Sequence, residues 1–226
     1  MKKTILFCAF LIPFFISAQQ QFRAGLSAGV MVTDLNGADT RDGDNDFNKP
    51  GLHFGGFVNT VLNEKNLFQF GIHYSQRGTM QRPDSMNNGY FKFSIEYAEI
   101  PFVFRHHLNF NVGKKPTDKF DLEFGGSAGI LVRSRYDAGN GTNIYLPSDI
   151  NKFIANIFMG VDYSLSSNVY LSFRYLNSVT NAVHRNAIPG YLLRYSFNRA
   201  NNMAFEFAFN FVLGKQEERP EQAEGE

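Results

Sequence analysis

The segment Leu67–Gly78, LFQFGIHYSQRG, places Phe68, Phe70, Ile72 and Tyr74 on one parity and Gln69, Gly71, His73, Ser75 and Arg77 on the other. A period of two is the signature of a strand with one apolar and one polar face; a helix would scatter the same aromatics around its circumference. The pattern recurs. Phe22, Ala24, Leu26, Ala28, Val30 and Val32 share a parity, as do Phe120, Leu122, Phe124, Gly126, Ala128, Ile130 and Val132, and again Met203, Phe205, Phe207, Phe209, Phe211 and Leu213. Hydrophobic residues make up 43% of the chain while its mean hydropathy is −0.26, which requires this fine interleaving.

The alternation predicts eight strands, at about 22–32, 51–62, 67–78, 93–108, 119–135, 152–165, 168–178 and 200–213. Several exceed the usual soluble strand and reach the span of a tilted membrane strand. The connections alternate. Short ones are expected at 63–66, 109–118 and Ser166-Ser167, and long polar ones around 33–50, 79–92, 136–151 and 179–199. Short turns at one end and long loops at the other mark an outer-membrane barrel, with both ends of the mature chain on the short-turn, periplasmic side. The expected fold is therefore all-β, an eight-stranded antiparallel up-and-down transmembrane β-barrel.

The first residues, MKKTILFCAFLIPFFISAQQQ, give a positive start at Lys2 and Lys3, an apolar core over 4–16 and small residues at Ser17 and Ala18. This pattern predicts a secretory signal peptide over residues 1–18, cleaved between Ala18 and Gln19. The single cysteine, Cys8, falls inside it, so the expected mature chain carries neither disulfides nor thiolate chemistry. Beyond it no apolar run reaches the length of a membrane helix. A membrane could then be crossed only by a closed barrel, in which every backbone N–H and C=O is paired. The barrel is expected over 19–213. Residues 214–226, GKQEERPEQAEGE, are charged and aperiodic and are expected to form a disordered tail.

Alternation alone does not say which face points inward, since a lipocalin also has eight alternating strands, with its apolar face around a ligand. Three features favour an apolar outer wall. The polar parity carries glycines and charges of both signs, namely Glu99, Arg105, Glu123, Arg133, Arg174 and Glu206. The apolar parity is rich in phenylalanine, 25 in the whole chain. Tyr74, Tyr97, Tyr163, Tyr175 and Tyr195 fall near strand ends, where an aromatic girdle would lie. Eight strands enclose a lumen just wide enough for side chains to fill. Inward glutamates and arginines would then pair, because an unpaired buried charge is costly, and the six charges named above are expected to form a structural polar network plugging the lumen.

Two stretches, GLSAG at 25–29 and GGSAG at 125–129, match G-x-S-x-G. The nucleophile elbow needs a strand-to-helix turn after the serine, and no helical periodicity follows Ser27 or Ser127. Both serines are read as inward-facing strand residues.

The chain resembles the PorT-like outer-membrane β-barrel family of bacteroidete-type bacteria. The resemblance is carried by the SAQ end of the signal peptide, FRAGLSAGV (22–30), GLHFGGFV (51–58), FGIHYSQRG (70–78), IEYAEIPFVFR (95–105) and FGGSAGILV (124–132). That family shows YSQ-x-G at the end of its third strand and YLEIP in its fourth; here the latter reads Tyr97-Ala98-Glu99-Ile100-Pro101, with Ala98 where leucine is usual. The resemblance implies the barrel fold. It also implies a role in type IX protein secretion for the founding member, while most members are small barrels of unassigned role.

Other chemistries are weakly represented. Asp42, Asp44 and Asp46 have the spacing of a calcium loop, but Phe47 takes the glycine position and His53 the place of the terminal glutamate. His106 and His107 point to opposite faces of a strand and cannot easily share a metal. His73, Ser75 and Glu99 would fall on one inner wall, the residue types of a lipid-modifying barrel enzyme. The net charge of +1 lacks the basic bias of a nucleic-acid binder. The sequence thus predicts no catalytic residues, cofactor or metal. The expected partners are outer-membrane lipids and envelope or secretion-machinery proteins. The expected function is structural or interactive, through the extracellular loops. Alternatives are a secretion component, a small porin or a lipid-modifying enzyme.

Overall fold

A computed structural model describes residues 22–38, 47–83, 90–112, 115–137, 143–144, 150–183 and 197–214. The expected cleavage site at Ala18 and Gln19, the carboxylates at 42–46, Tyr195 and the tail beyond 214 lie outside them. The strands are β1 (Phe22–Ala38), β2 (Lys49–Val61), β3 (Asn66–Gln81), β4 (Phe91–Val112), β5 (Lys115–Asp137), β6 (Asn143–Ile144), β7 (Phe153–Ser166), β8 (Val169–Ser178) and β9 (Phe197–Val212). Each strand runs antiparallel to its neighbours, including the two-residue β6, which pairs with Tyr136 and Asp137 at the end of β5. Pairing of β4 with β5 and of β1 with β9 closes eight strands into a ring, so no open edge remains to seek a partner.

The two ends of the ring differ. At one, the turn end, β2 passes to β3 through Leu62–Lys65, where the Asn63 side chain accepts the N–H groups of Lys65 and Asn66 at 3.0 and 2.9 Å. Asn168, in the β7–β8 turn, donates to the Val212 carbonyl at 2.8 Å and ties this turn to the end of β9. The connection expected over 109–118 is largely strand among the described residues: β4 reaches Val112 and β5 begins at Lys115, pairing Phe110 with Thr117 and Val112 with Lys115. At the other, the loop end, the chain makes its four long connections.

The two faces follow sequence parity over the middle of the barrel. Leu26, Phe54, Ile72, Phe102, Phe124, Met159, Phe173 and Phe207 are exposed on the outer wall, and Ser27, Gln69, His73, Glu99, Glu123, Asn156 and Asn210 are buried within. Near the loop end the polarity inverts. On β4, Phe91, Phe93, Ile95 and Tyr97 turn inward and are almost wholly buried, while Lys92, Ser94 and Glu96 turn outward. Tyr97, expected in an outer girdle, is thus an interior residue; Tyr74, Tyr163 and Tyr175 do lie on the outer wall, half-buried. The inward group packs with Leu35, Tyr136, Ile150, Ile154, Ala182, Val183 and Ala200 into an apolar plug. Val183 bridges to Ile150 and Ala200, drawing parts of two long connections across the loop end. Above the apolar band the outside is no longer hydrocarbon, so the usual arrangement of a water-soluble sheet, apolar in and polar out, returns.

Candidate functional site

Below the apolar plug the interior is a connected set of charges. Glu99, on β4, accepts hydrogen bonds from Arg77 Nη2 at 2.5 Å, Ser127 Oγ at 2.7 Å, Asn156 Nδ2 at 3.1 Å and Ser75 Oγ. Arg77 also donates to Asn156 Oδ1 at 2.9 Å. Glu99 therefore joins β3, β4, β5 and β7. One layer towards the turn end, the Arg174 guanidinium forks onto Glu123, with Nη2 3.0 Å from Oε2, and reaches Glu206 at 3.1 Å. A third layer is built on Arg105, whose Nε lies 2.6 Å from Asp162 and 3.6 Å from Glu123. Arg105 Nη2 donates to the Tyr170 hydroxyl at 2.7 Å, and its guanidinium stacks 4.2 Å from that ring. Asp162 accepts from Ser172 at 2.5 Å, and Ser172 accepts from Asn210 at 2.9 Å.

The packing has no slack around these pairs. A Cβ on Gly160 would stand 2.4 Å from the Phe173 carbonyl oxygen, 2.7 Å from Glu123 Oε1 and 2.9 Å from Arg174 Cγ. Only a residue without a side chain leaves room there for the Arg174–Glu123 pair. The remaining space between the first two layers is a cavity of about 20 Å³ lined by His53, His73, Arg77, Glu99, Arg174 and Glu206, room for about one water molecule. His53 Nδ1 is 3.5 Å from Glu206 Oε2, and its ring meets that of His73 edge-on at 4.7 Å. In these three layers four carboxylates (Glu99, Glu123, Asp162, Glu206) face three guanidiniums (Arg77, Arg105, Arg174). Within these three layers the carboxylates outnumber the guanidiniums by one, and Glu206 is the carboxylate beside His53.

Of the six charges expected inside, Glu99, Arg105, Glu123, Arg174 and Glu206 lie there, all at most 4% exposed. Arg133 does not. Its partner across β4 is Glu96, whereas Tyr97 pairs with Leu131, so Val132 is an extra residue, a β-bulge. The bulge shifts the parity beyond it: Arg133 and Arg135 face outward, with side chains 46% and 37% exposed, and Ser134 and Tyr136 face inward. Both arginines meet Glu96, at 3.3 and 3.2 Å. Arg77 and Asp162 were not among the expected network residues, although each stands on the polar parity of its strand, Asp162 between Val161 and Tyr163.

Ser127 lies within β5, bonded to Glu99 and Asn156, with no helix after it. Ser75 is bonded to Glu99, not to His73. His107 turns inward to Asp121 at 2.6 Å and His106 outward to Asn66 at 2.8 Å, on opposite faces as their adjacency requires. Among the described residues no cluster of three or more histidine, cysteine or acidic side chains is arranged to hold a metal ion.

A closed barrel with an apolar outer wall and a filled polar interior defines a protein of the outer-membrane β-barrel class. The chain belongs to the outer membrane protein beta-barrel domain family, whose sequence profile matches residues 17–183. No curated protein matches the sequence. Among solved structures it is similar to Ail, the attachment invasion locus protein of Yersinia pestis, at 11% identity over 85% of this chain and 99% of that one, TM-score 0.47. Neisserial surface protein A is similar at 11% identity over 84% and 96%, TM-score 0.43. The N-terminal β-barrel domain of Pseudomonas aeruginosa OprF is similar at 10% identity over 85% and 100%, TM-score 0.36.

Proposed function

We propose that this protein is a non-conducting, non-enzymatic outer-membrane barrel that acts as a structural and interaction element through its loop end. In this reading the signal peptide is removed after Ala18, the turn end with both chain termini faces the periplasm, and the loop end faces outward. The observation that carries it is the filled lumen. Three layers of arginine–carboxylate pairs and an apolar plug occupy the interior, and the cavity between the layers holds about one water molecule. In this reading the layers and the plug block the passage of a hydrated ion. Ser75, the candidate nucleophile, spends its hydroxyl on Glu99, which supports a structural role for the His73–Ser75–Glu99 group. The test is conductance of the purified barrel in planar bilayers: the account expects no persistent channels, and stable channels in most insertions would overturn it.

A component of type IX secretion, as the PorT-like resemblance implies, is the second reading. The motif residues behind that resemblance support it only partly, because they build the lumen. Glu99 of YAEIP is the hub of the first layer, and Ser75 and Arg77 of YSQRG donate to it. Their positions are accounted for by the lumen alone, whatever the loops do. The secreted-protein profile of a deletion strain separates the readings. Precursors trapped in the periplasm would establish the secretion role, and an unchanged profile would leave the loop-end role.

A further inference from the structure

We propose that the outer face of β4 and β5 at the loop end binds a phosphorylated glycolipid of the outer leaflet, with Arg133 and Arg135 holding a phosphate. The bulge in β5 places the pair. Strict alternation from Leu131 through Val132 would send Arg133 and Arg135 into the lumen; because the bulge takes up Val132 as an extra residue, both guanidiniums stand on the lipid-facing wall. They stand at the level where the polarity of that wall inverts. Immediately below are Ala98, Ile130 and Phe153, paired in one row across β4, β5 and β7, and Val132, all exposed. Above are Ser94 and Lys92, cross-strand partners of Arg135 and Asp137. This is the depth at which lipid phosphates lie.

The charge on the site favours an anion. Glu96 is the carboxylate already paired with both arginines and competes with an added anion; its side chain is only 6% exposed, beneath them. Tyr74 and Gln76 of β3 cover its other side. Among the described residues, the bonds recorded for Arg133 run from Nε and Nη2, and that for Arg135 from Nη2, all 3.2–3.4 Å long. Each guanidinium therefore keeps N–H groups for a further anion, in the fork geometry that suits phosphate. Lys92 lies on the same outer face and Lys152 is exposed at its flank, against Glu96 and Asp137, so positive charge is in excess. The wall beneath is low. Gly126, Ala128, Ala98 and Ala155 are outward neighbours on three adjacent strands, bordered by Ile100, Ile130, Phe153 and Ile157. They leave a shallow apolar trough, suited to an acyl chain, running away from the arginines.

The proposal rests on the reading that the loop end lies in the outer leaflet, and the two can fail separately. Lipid binding in detergent is indifferent to orientation, whereas protease cleavage of the long loops on intact cells reports orientation alone. The binding test is native mass spectrometry of the intact barrel in detergent, titrated with bis-phosphorylated lipid A, with dephosphorylated lipid A, and with phosphatidylglycerol. The first should bind preferentially. R133Q/R135Q should weaken it about tenfold, the scale of one lost charge-assisted contact. K65Q, which removes a cation from the turn end, should leave it unchanged. R133K/R135K should retain part of the affinity. Glu96→Gln, which removes the competing carboxylate, should tighten binding, and this variant decides the matter should R133Q/R135Q fail to fold. Equal binding by folded R133Q/R135Q and the natural chain, no gain in E96Q, or equal binding of all three lipids would overturn the proposal.

Discussion

At the scale of the residue, the molecule is governed by the cost of burying charge. Glu99 satisfies its carboxylate with four donors from three other strands, and Arg77 has no other acid at comparable distance among the described residues. Removing one member of such a pair leaves the other buried and uncompensated, which costs about 3–5 kcal/mol. Glu99→Gln should therefore lower the midpoint of urea unfolding in detergent markedly, and an unchanged midpoint would show the network to be ornamental. Glu206 differs. It belongs to a set with one carboxylate in surplus and sits 3.5 Å from His53, so Glu206→Gln should cost clearly less than Glu99→Gln in the same assay. Equal losses would refute the charge count. Gly160→Ala adds one methyl group 2.7 Å from Glu123 Oε1. It should destabilise the barrel by about 1–3 kcal/mol through overpacking, read as a lower unfolding temperature.

At the scale of the element, the legible and the illegible parts of the sequence divide on β4 and β5. Apolar Ala98, Ile100, Phe102 and Phe104 share one parity of β4 opposite Glu99 and Arg105, and the alternation from Phe120 to Ile130 runs through Glu123, so both strands and the inward position of the three charges were legible. What it could not reveal is a change of environment along a strand. Phe91, Phe93, Ile95 and Tyr97 occupy the same parity as Glu99 and turn to the same side, yet they are apolar, because outside them there is no hydrocarbon to reward apolar groups. Nor could alternation show the bulge, since taking up Val132 as an extra residue puts every side chain beyond it on the face opposite to the one strict alternation assigns. The pairing of Phe110 with Thr117 was hidden for another reason: GKKP reads as turn chemistry, and its polar flanks conceal a hairpin that outruns the apolar band. Deleting Val132 is the matching prediction. Arg133 would then follow inward Leu131 directly, so regular alternation keeps Arg133 and Arg135 outward and Tyr136 inward. The variant should keep the heat-modifiable gel mobility of a folded barrel; loss of that mobility would mean that Val132 does more than fill a bulge.

At the scale of the whole molecule, the account claims three environments arranged by the alternation: lipid outside the middle, water or headgroups outside the loop end, and a sealed interior through both. The claim can be read along β4 and its neighbour β5. The sole cysteine of the full chain is Cys8, in the expected signal peptide, so single cysteines placed in the barrel report without interference. The most direct measurement is the labelling of Ser94→Cys, Ile100→Cys, Phe102→Cys, Val103→Cys and Ser127→Cys in reconstituted vesicles, with one membrane-permeant apolar reagent and one small aqueous reagent. The account predicts that Cys at 100 and 102 reacts with the apolar reagent and Cys at 94 with the aqueous one, while Cys at 103 and 127 reacts with neither. Aqueous labelling at 103 and 127 would mean a water-filled lumen and would contradict the sealed barrel.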